Sequence, residues 1–277
     1  MTFTKKPRLH VEFDGPTSGR KDCRPVALLH GFTGSTATMW PVAHPLINVR
    51  HVVAVDLPGH GHNEVVDDFQ AFGFEHTVDA VAQVLSQHQL WPVHVIGYSM
   101  GGRIAVGLAA RYPDSIASLS LIGASPGLSD PVERAARRRA DDELANDLLE
   151  HGLTAFVDRW MASPIFASQS RLGSDALAAA RAQRLTNDPD GLAGSLRGAG
   201  TGAQPSQWHH LANIDVPVLL LAGEEDPKFR SIAIRMAAAL SRATIGVVPH
   251  AGHAAHLENP NHVMQVIQKF LDQVESP

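Results

Sequence analysis

The chain has 277 residues, a formal net charge of −5, 44% hydrophobic residues and 18% charged residues. This composition is typical of a globular protein with enough apolar material for a core. The acidic balance argues against nucleic acid as the main partner. No stretch of about 18 apolar residues is present, so no membrane partner is expected.

The cysteine and histidine residues indicate the cellular location and whether a metal is expected. The single cysteine, Cys23, cannot form an internal disulfide, and residues 1–13 contain no apolar stretch typical of a signal peptide. Both observations predict a cytoplasmic location. The 16 histidines are scattered, and none belongs to a zinc motif, so neither a metal nor a cofactor is expected.

The first part of the chain alternates strand-like and helical patterns. Short apolar runs predict strands at 11–13, 26–29, 51–56, 93–96 and 116–122, and the segment from Asp14 to Arg24 is a turn-rich connection. Helical patterns predict a short helix near Trp40, a helix over 74–88 and another directly after Ser99. This alternation predicts an α/β fold with a mostly parallel central sheet and helices on both faces.

The alternation stops at Gly123 and resumes near residue 216. Between 125 and 208 the patterns are helical, with breaks at Pro164, Pro189 and Gly191. We therefore predict a core formed by 1–124 and 209–277, with a helical cap inserted at 125–208. Strands at 216–221 and 245–248 and helices at 232–240 and 262–274 are expected to complete the core.

The sequence Gly97-Tyr98-Ser99-Met100-Gly101 follows a strand-like run and precedes a helical one. The pattern G-x-S-x-G in this context is the nucleophile elbow, a strained turn that exposes a serine hydroxyl at the end of a sheet. The alternative is a glycine-rich turn with an incidental serine. A helix that begins directly after the serine would point its N–H groups at developing negative charge.

A serine nucleophile needs a base that an acid orients, in the chain order Ser, Asp or Glu, His. Asp226 follows a late strand, and His253 lies in the loop after the last strand. Glu224 and Glu225 are alternative acids, whereas His250 and His256 are alternative bases. The backbone N–H groups of Met100 and Phe32 are the predicted oxyanion donors, because Phe32 lies in the glycine-rich turn after an early strand.

Arg103 follows Ser99 by four positions, so it lies one helical turn further on the same face. A guanidinium there is unnecessary for hydrolysis of a neutral ester but suits a carboxylate-bearing substrate. The alternative is a surface arginine paired with an acid of the cap. The cap adds further arginines, for which a solvated basic face is the common outcome; these are Arg134, Arg137, Arg138, Arg139 and Arg184.

Several segments resemble the α/β-hydrolase superfamily, namely HGFTGS, DLPGHG, GYSMGG, GEEDPKF and AGHAAHLENP. The resemblance covers nearly the whole chain and implies the α/β-hydrolase fold, although the fold alone does not define a reaction. The segments GYSMGGR, RAARRRADDE, TAFVDRW, PIFAS, RLTND and QPSQW are similar to one subgroup, the 2-succinyl-6-hydroxy-2,4-cyclohexadiene-1-carboxylate synthases of menaquinone biosynthesis.

That second resemblance implies a cofactor-independent lyase that eliminates pyruvate from a small polycarboxylate. It implies a Ser99, Asp226 and His253 triad, and Tyr98 and Trp160 as pocket residues. It also implies that substrate carboxylates bind to Arg103, Arg137 and Arg184, with Arg134, Arg138 and Arg139 as alternatives to Arg137 and Arg181 as an alternative to Arg184. The oligomeric state is left open between a monomer and a weak dimer.

Three other functions fit parts of the pattern. A true hydrolase of esters, thioesters or carbon–carbon bonds would share the triad and the oxyanion donors. A non-catalytic small-molecule receptor would share the fold, but an intact ordered triad disfavours it. A cofactor-free haloalkane or peroxide enzyme fits poorly, because the haloalkane enzymes prefer an aspartate where this chain has Ser99.

Overall fold

In the described part of the chain, seven strands form one sheet, and the fully buried strand β4 lies at its centre. The computed structural model describes residues 9–16, 23–64 and 68–276. The strands are β1 (Val11–Asp14), β2 (Val26–Leu29), β3 (Val52–Val55), β4 (Val93–Tyr98), β5 (Ile116–Ile122), β6 (Val218–Gly223) and β7 (Ala243–Val248). Their spatial order is β1-β3-β2-β4-β5-β6-β7. Only β1 runs antiparallel to its neighbour, so the predicted mostly parallel sheet is confirmed.

Helices cover both faces of this sheet, as predicted. They are α1 (Thr36–Ala43), α2 (Phe74–Gln87), α3 (Met100–Arg111), α4 (Pro131–Met161), α5 (Ser174–Arg184), α6 (Pro189–Ala199), α7 (Pro227–Ala239), α8 (Ala255–Glu258) and α9 (Pro260–Glu275). Apolar side chains of α2, α3 and α7 pack on one face, and those of α1, α8 and α9 pack on the other. Among the helices of the described ranges, none combines the length and apolarity needed to cross a bilayer.

Some element boundaries differ from the sequence-based ones. The strand expected at 216–221 lies at 218–223, and α7 begins at Pro227 rather than at 232. The carboxylate of Asp226 accepts a hydrogen bond from the backbone N–H of Phe229, and Pro227 occupies the first helical position. A capping acid followed by proline is a helix start signal that apolar periodicity alone misses.

The segment between β5 and β6 is helical and contains no strand, as expected. It comprises α4, α5, α6 and 3-10 turns, and it has its own apolar cluster around Leu148, Phe156 and Leu192. α4 bends at Gly152, where a φ of 81° and a ψ of 163° interrupt the helix. The division into a core of 1–124 and 209–277 and a cap of 125–208 stays a prediction. The predictions for the first eight residues, and for 17–22 of the turn-rich connection, lie outside the described residues.

A buried ionic network connects the C-terminal helix α9 to the start of the central strand β4, at the opposite end of this strand from Ser99. Glu275 at the end of α9 binds the guanidinium of Arg50 at 3.1 Å and the imidazole Nε2 of His94 at 3.0 Å. His94 lies inside β4, and its Nδ1 is 2.7 Å from the hydroxyl of Ser118 on β5. Because Arg50 is only 3% exposed, its charge depends on the Glu275 carboxylate for compensation.

The variant Glu275→Ala is expected to lower the free energy of unfolding by about 3 kcal/mol, because it leaves the buried charge of Arg50 without its partner. Urea denaturation at neutral pH measures this change. Asp272→Ala is the matched control, since Asp272 is exposed on the same helix, and it should change the stability by less than about 0.5 kcal/mol. Equal losses in the two variants would contradict a specific role for the network.

Candidate active site

Ser99 occupies a strained turn between β4 and α3. Its φ of 48° and ψ of −104° are unusual for a residue with a Cβ atom. The turn requires glycine on both sides: a Cβ atom on Gly97 would lie 2.6 Å from the carbonyl oxygen of Gly101, and one on Gly101 would lie 2.1 Å from that of Leu29. The strained conformation turns the Ser99 side chain away from the sheet and into a cavity.

Ser99, His253 and Asp226 form a continuous hydrogen-bonded chain. The Ser99 Oγ lies 3.1 Å from the His253 Nε2, and the His253 Nδ1 lies 3.0 Å from the Asp226 Oδ2. Asp226 and His253 are both buried. The second oxygen of Asp226 accepts the backbone N–H of Phe229, which fixes the carboxylate at the start of α7. This geometry allows the imidazole to accept a proton from the serine hydroxyl.

The alternative acids lie elsewhere. Glu225 binds Arg171 at the surface, and Glu224 accepts the backbone N–H of His250. These contacts leave both carboxylates without contact to His253.

The alternative bases also lie away from the Ser99 hydroxyl. His250 is exposed, whereas His256 is buried with its ring 4.1 Å from that of Tyr98. Burial lowers the pKa of His256 to about 3, and the nearby His253 makes a smaller contribution in the same direction. The His256 ring is therefore neutral at physiological pH. Among the described histidines, only His253 has a hydrogen bond to Ser99.

The two predicted oxyanion donors follow neighbouring strands. Phe32 lies in the turn after β2 and Met100 is the first residue of α3, and both border the cavity. Within the described ranges, neither backbone N–H has an acceptor. The Phe32 turn approaches Ser99 closely, since a Cβ atom on Gly31 would lie 3.6 Å from the Ser99 Cβ. Two free N–H groups beside a serine hydroxyl are suited to stabilising a developing oxyanion.

The turn after β2 is held by a buried histidine that the sequence analysis missed. The Nδ1–H of His30 donates to the carbonyl of Gly31 at 2.8 Å, and its Nε2 accepts the N–H of Leu57 at 2.9 Å. Burial lowers the pKa of His30, which keeps the ring neutral and preserves this donor and acceptor pair. His30 thereby connects the loops that follow β2 and β3.

A cavity of about 380 Å³ lies above Ser99, between the core and the helices that follow β5. Tyr98 and Trp160 both border it, as do Phe32 and Phe166. Trp160 contacts the ring of Phe32 edge-on at 5.2 Å and stacks on Phe156 at 6.0 Å. Burial raises the pKa of Tyr98, so its hydroxyl stays protonated. The volume falls within the range of small-molecule sites.

Arg103 is buried beneath this cavity. One of its terminal nitrogens, Nη1, donates to the carbonyl of Ala199 at 2.8 Å and to Gln204 Oε1 at 2.6 Å. Burial lowers the pKa of Arg103 to about 10, so the guanidinium remains charged at neutral pH. Arg103 has no salt bridge to a carboxylate among the described residues, which rules out the surface pair considered above. A buried cation that borders a cavity and has no salt bridge to a carboxylate of the described chain is suited to a carboxylate ligand.

Arg137 also borders the cavity, but it already has an ionic partner. Its Nε donates to the Asp141 Oδ1 at 2.8 Å across one turn of α4. Arg134, Arg138 and Arg139 are not among the residues that border the cavity.

Arg184 is buried on α5, but it is not among the residues that border the cavity. Its Nη1 donates to the carbonyl of Ala180, and its Nε has no partner in the described part of the chain. The guanidinium interacts electrostatically with Tyr98, which lies on the cavity wall. Arg181, the alternative, points outward and forms a surface pair with Asp158.

The structure adds further cations that sequence reasoning missed. Lys228 and Arg235 lie on α7 and border the cavity, and the Arg235 guanidinium lies 4.5 Å from the centroid of the Trp208 ring. Their spacing of seven residues, about two helical turns, indicates that both side chains lie on one face of α7. The sequence alone does not show that this face of α7 borders the cavity.

One group of potential metal ligands lies at the surface near β1. The side chains of His10, Glu12 and His62 offer ligand atoms within 4.8 Å of one another. The Glu12 oxygens already accept hydrogen bonds from Thr36 Oγ1 and Trp40 Nε1. None of these three residues borders the Ser99 cavity.

The chain is similar to several known proteins. Residues 24–260 match the family model for the alpha/beta hydrolase fold. The chain is 37% identical to a putative 2-succinyl-6-hydroxy-2,4-cyclohexadiene-1-carboxylate synthase of Bacillus subtilis, over 99% of this chain and 98% of that protein. It is 31% identical to the synthase of the same name from Salmonella schwarzengrund, over 91% of this chain and 96% of the relative.

The structure of MenH from S. aureus superposes with a TM-score of 0.92 at 31% identity, covering 96% of this chain and 99% of that one. A match of this extent includes the helical segment between β5 and β6 as well as the sheet. The chain therefore belongs to the alpha/beta hydrolase fold family and, within it, to the family of 2-succinyl-6-hydroxy-2,4-cyclohexadiene-1-carboxylate synthases.

Proposed function

We propose that this enzyme is a carbon–oxygen lyase of menaquinone biosynthesis. It eliminates pyruvate from 2-succinyl-5-enolpyruvyl-6-hydroxy-3-cyclohexene-1-carboxylate and releases 2-succinyl-6-hydroxy-2,4-cyclohexadiene-1-carboxylate. The observation that carries the proposal is the pairing of a hydrogen-bonded Ser99 and His253 with a buried Arg103, which has no salt bridge among the described residues, at one cavity. Relatives named for this synthase activity support it.

The reaction needs a base at one ring carbon and stabilisation of negative charge at the adjacent ketone. We infer that His253 accepts the proton of Ser99, and that the resulting alkoxide removes the proton at ring carbon 2. This proton is acidic because it lies next to the succinyl carbonyl. The enolate oxygen that forms is within the expected reach of the N–H groups of Phe32 and Met100.

Collapse of the enolate completes the elimination. The electron pair makes the bond between ring carbons 2 and 3 a double bond, the existing double bond between carbons 3 and 4 shifts to carbons 4 and 5, and the carbon–oxygen bond at carbon 5 breaks. The leaving enolpyruvate takes up one proton and becomes pyruvate, and protonated His253 is its nearest source. No electron leaves the system and no water is consumed, so the residues named are sufficient for the chemistry.

The substrate carries three carboxylates, and Arg103 is the cation best prepared to bind one of them. Its contacts with Ala199 and Gln204 hold it in place before the ligand arrives, which reduces the entropy lost on binding. Arg137 and Arg184 are proposed as further ligands, although Arg137 must share its charge with Asp141. The monomer or weak dimer and the cytoplasmic location stay predictions.

A serine hydrolase acting on carboxylate-bearing esters, thioesters or carbon–carbon bonds is the alternative function. It would use the same Ser99, His253 and Asp226 chain, with the serine as a nucleophile. Incubation with p-nitrophenyl acetate separates the two functions. We expect turnover that is slow or absent, because the ester lacks the carboxylates that Arg103 would bind. Fast turnover with accumulation of an acyl-enzyme would favour the hydrolase.

The variant Ser99→Ala is expected to reduce kcat for pyruvate elimination by about 10³-fold or more, because the base that removes the ring proton is lost. The assay follows the cyclohexadiene chromophore and pyruvate together. Ser129→Ala is the matched control, since Ser129 is an exposed serine at the rim of the same cavity. A near-normal rate in Ser99→Ala would remove this serine from the mechanism.

The variant Arg103→Ala is expected to weaken substrate binding by about 1.5–3 kcal/mol, the usual contribution of a charge-assisted hydrogen bond. The measurement is KM, together with the dissociation constant of the product. Arg111→Ala controls for loss of charge on the same helix, because Arg111 pairs with Glu75 at the surface. A thermal unfolding curve checks that the buried partners of Arg103 tolerate the change. Unchanged affinity in a folded variant would contradict the carboxylate role.

A further inference from the structure

Two walls of the Ser99 cavity carry opposite charge. The α4 wall presents Glu133, Arg137 and Asp141, spaced by four residues on one helical face. It therefore has two carboxylates for one guanidinium, and that guanidinium is bound to Asp141. The α7 wall presents Lys228 and Arg235 and no acidic residue. A multiply anionic ligand that enters between these walls is attracted to α7 and repelled by the carboxylates of α4.

The α7 cations have no competing anion. Within residues 9–16, 23–64 and 68–276, neither Lys228 nor Arg235 forms a salt bridge or hydrogen bond with a carboxylate. Their positive charge contrasts with the formal net charge of −5 of the whole chain. An acidic protein that leaves cations unpaired at the mouth of one cavity concentrates anionic ligands there.

Arg235 is also held in position. Its guanidinium lies over the Trp208 ring at 4.5 Å, a cation–π arrangement. Trp208 is fixed in turn, because its indole N–H donates to the carbonyl of Gly127 at 3.0 Å. Stacking uses the flat face of the guanidinium and leaves its edge free for the two parallel hydrogen bonds of a carboxylate.

The position of Arg235 suits a group at the far end of the ligand. Phe229, near the start of α7, lies 4.4 Å from the His253 ring, and Arg235 follows Phe229 by six residues, or about 9 Å along the helix axis. Lys228 lies at the same end as His253. The two cations therefore border the cavity at positions about 10 Å apart along the axis of α7, with Lys228 nearer to His253.

We propose that the cavity face of α7 is a carboxylate-binding subsite, in which Arg235, stacked on Trp208, binds the carboxylate remote from the reacting bond. Lys228 adds positive potential near Ser99. This inference rests on the proposed function for the identity of the substrate, but it assigns a carboxylate to Arg235, which neither the sequence motifs nor the ordered Ser, His and Asp chain includes.

The test compares Arg235→Gln with Arg230→Gln. Arg230 is exposed on the same helix, contacts the carbonyl of Glu224, and does not border the cavity, so it controls for the loss of one charge from α7. With the polycarboxylate substrate, we expect KM to rise about fivefold to tenfold in Arg235→Gln, after allowance for solvent screening. The kcat should stay within about twofold, because Arg235 is remote from the hydrogen-bonded chain.

A binding measurement separates this inference from the proposed function. Calorimetry with 2-succinylbenzoate, a stable dicarboxylate, should show about a fivefold to tenfold weaker affinity in Arg235→Gln than in Arg230→Gln. Its dimethyl ester, which has the same shape without charge, should bind both variants equally. A loss confined to the dicarboxylate supports the subsite even if the enzyme fails to eliminate pyruvate.

Two outcomes would overturn the subsite. If Arg235→Gln binds the dicarboxylate as tightly as Arg230→Gln does, then Arg235 receives no carboxylate. If Arg235→Gln weakens the diester as much as the dicarboxylate, then Arg235 acts only by packing against Trp208. Neither outcome affects the elimination itself, which Ser99→Ala tests independently.

Discussion

The close contact between the β4–α3 turn and the end of β2 constrains the rest of the site. Gly101 must approach the backbone of Leu29, and Gly97 must approach Gly101, at distances that no side chain tolerates. These contacts hold Ser99 in a conformation that costs on the order of 1–3 kcal/mol. The burial of β4 between β2 and β5 compensates for this cost. Because β2 is a direct neighbour of β4, the same packing brings the N–H of Phe32 beside the serine.

The second constraint is the buried guanidinium of Arg103, which connects α3 to the helical segment between β5 and β6. Arg103 extends from α3 of the core, yet its hydrogen-bond acceptors are Ala199 at the end of α6 and Gln204 just beyond. Displacing the helical segment would leave a buried guanidinium without acceptors, at a cost of about 1–3 kcal/mol or more. The residue proposed to bind substrate therefore also fixes how the helices that follow β5 rest on the core.

Sequence reasoning predicted the parts of the site that depend on local chain geometry. The elbow at Ser99 follows from two glycines and a strand-to-helix transition, and Asp226 and His253 follow from their order after late strands. The sequence favoured His253 over His256 because His253 follows a glycine in the loop after the last strand. In the structure His253 forms the hydrogen bond to Ser99, whereas the ring of His256 packs on Tyr98. The start of α7 was misjudged because apolar periodicity appears only after its first turn, whereas its capping signal is polar.

The arginines were harder to predict for a different physical reason. The run at 134–139 contains four arginines, and the face of α4 that meets the cavity depends on its packing against α6 and on the bend at Gly152. Only that packing distinguishes Arg137 from its neighbours. Arg235 was missed because its proposed role depends on its contact with Trp208, which lies outside α7 in a 3-10 turn before β6, so the spacing along α7 does not reveal it.

The charge pattern of the cavity follows from this arrangement. An enzyme that must bind three carboxylates and then release a product with two needs cations that attract the ligand without retaining it. A guanidinium already paired with a carboxylate, as Arg137 is with Asp141, would orient an incoming anion at reduced affinity, because that anion meets a partly neutralised site. Unpaired cations at the rim, such as Lys228 and Arg235, attract the anion while remaining partly solvated. The buried Arg103 is proposed to make the strongest single contact, because its charge is removed from water and least screened.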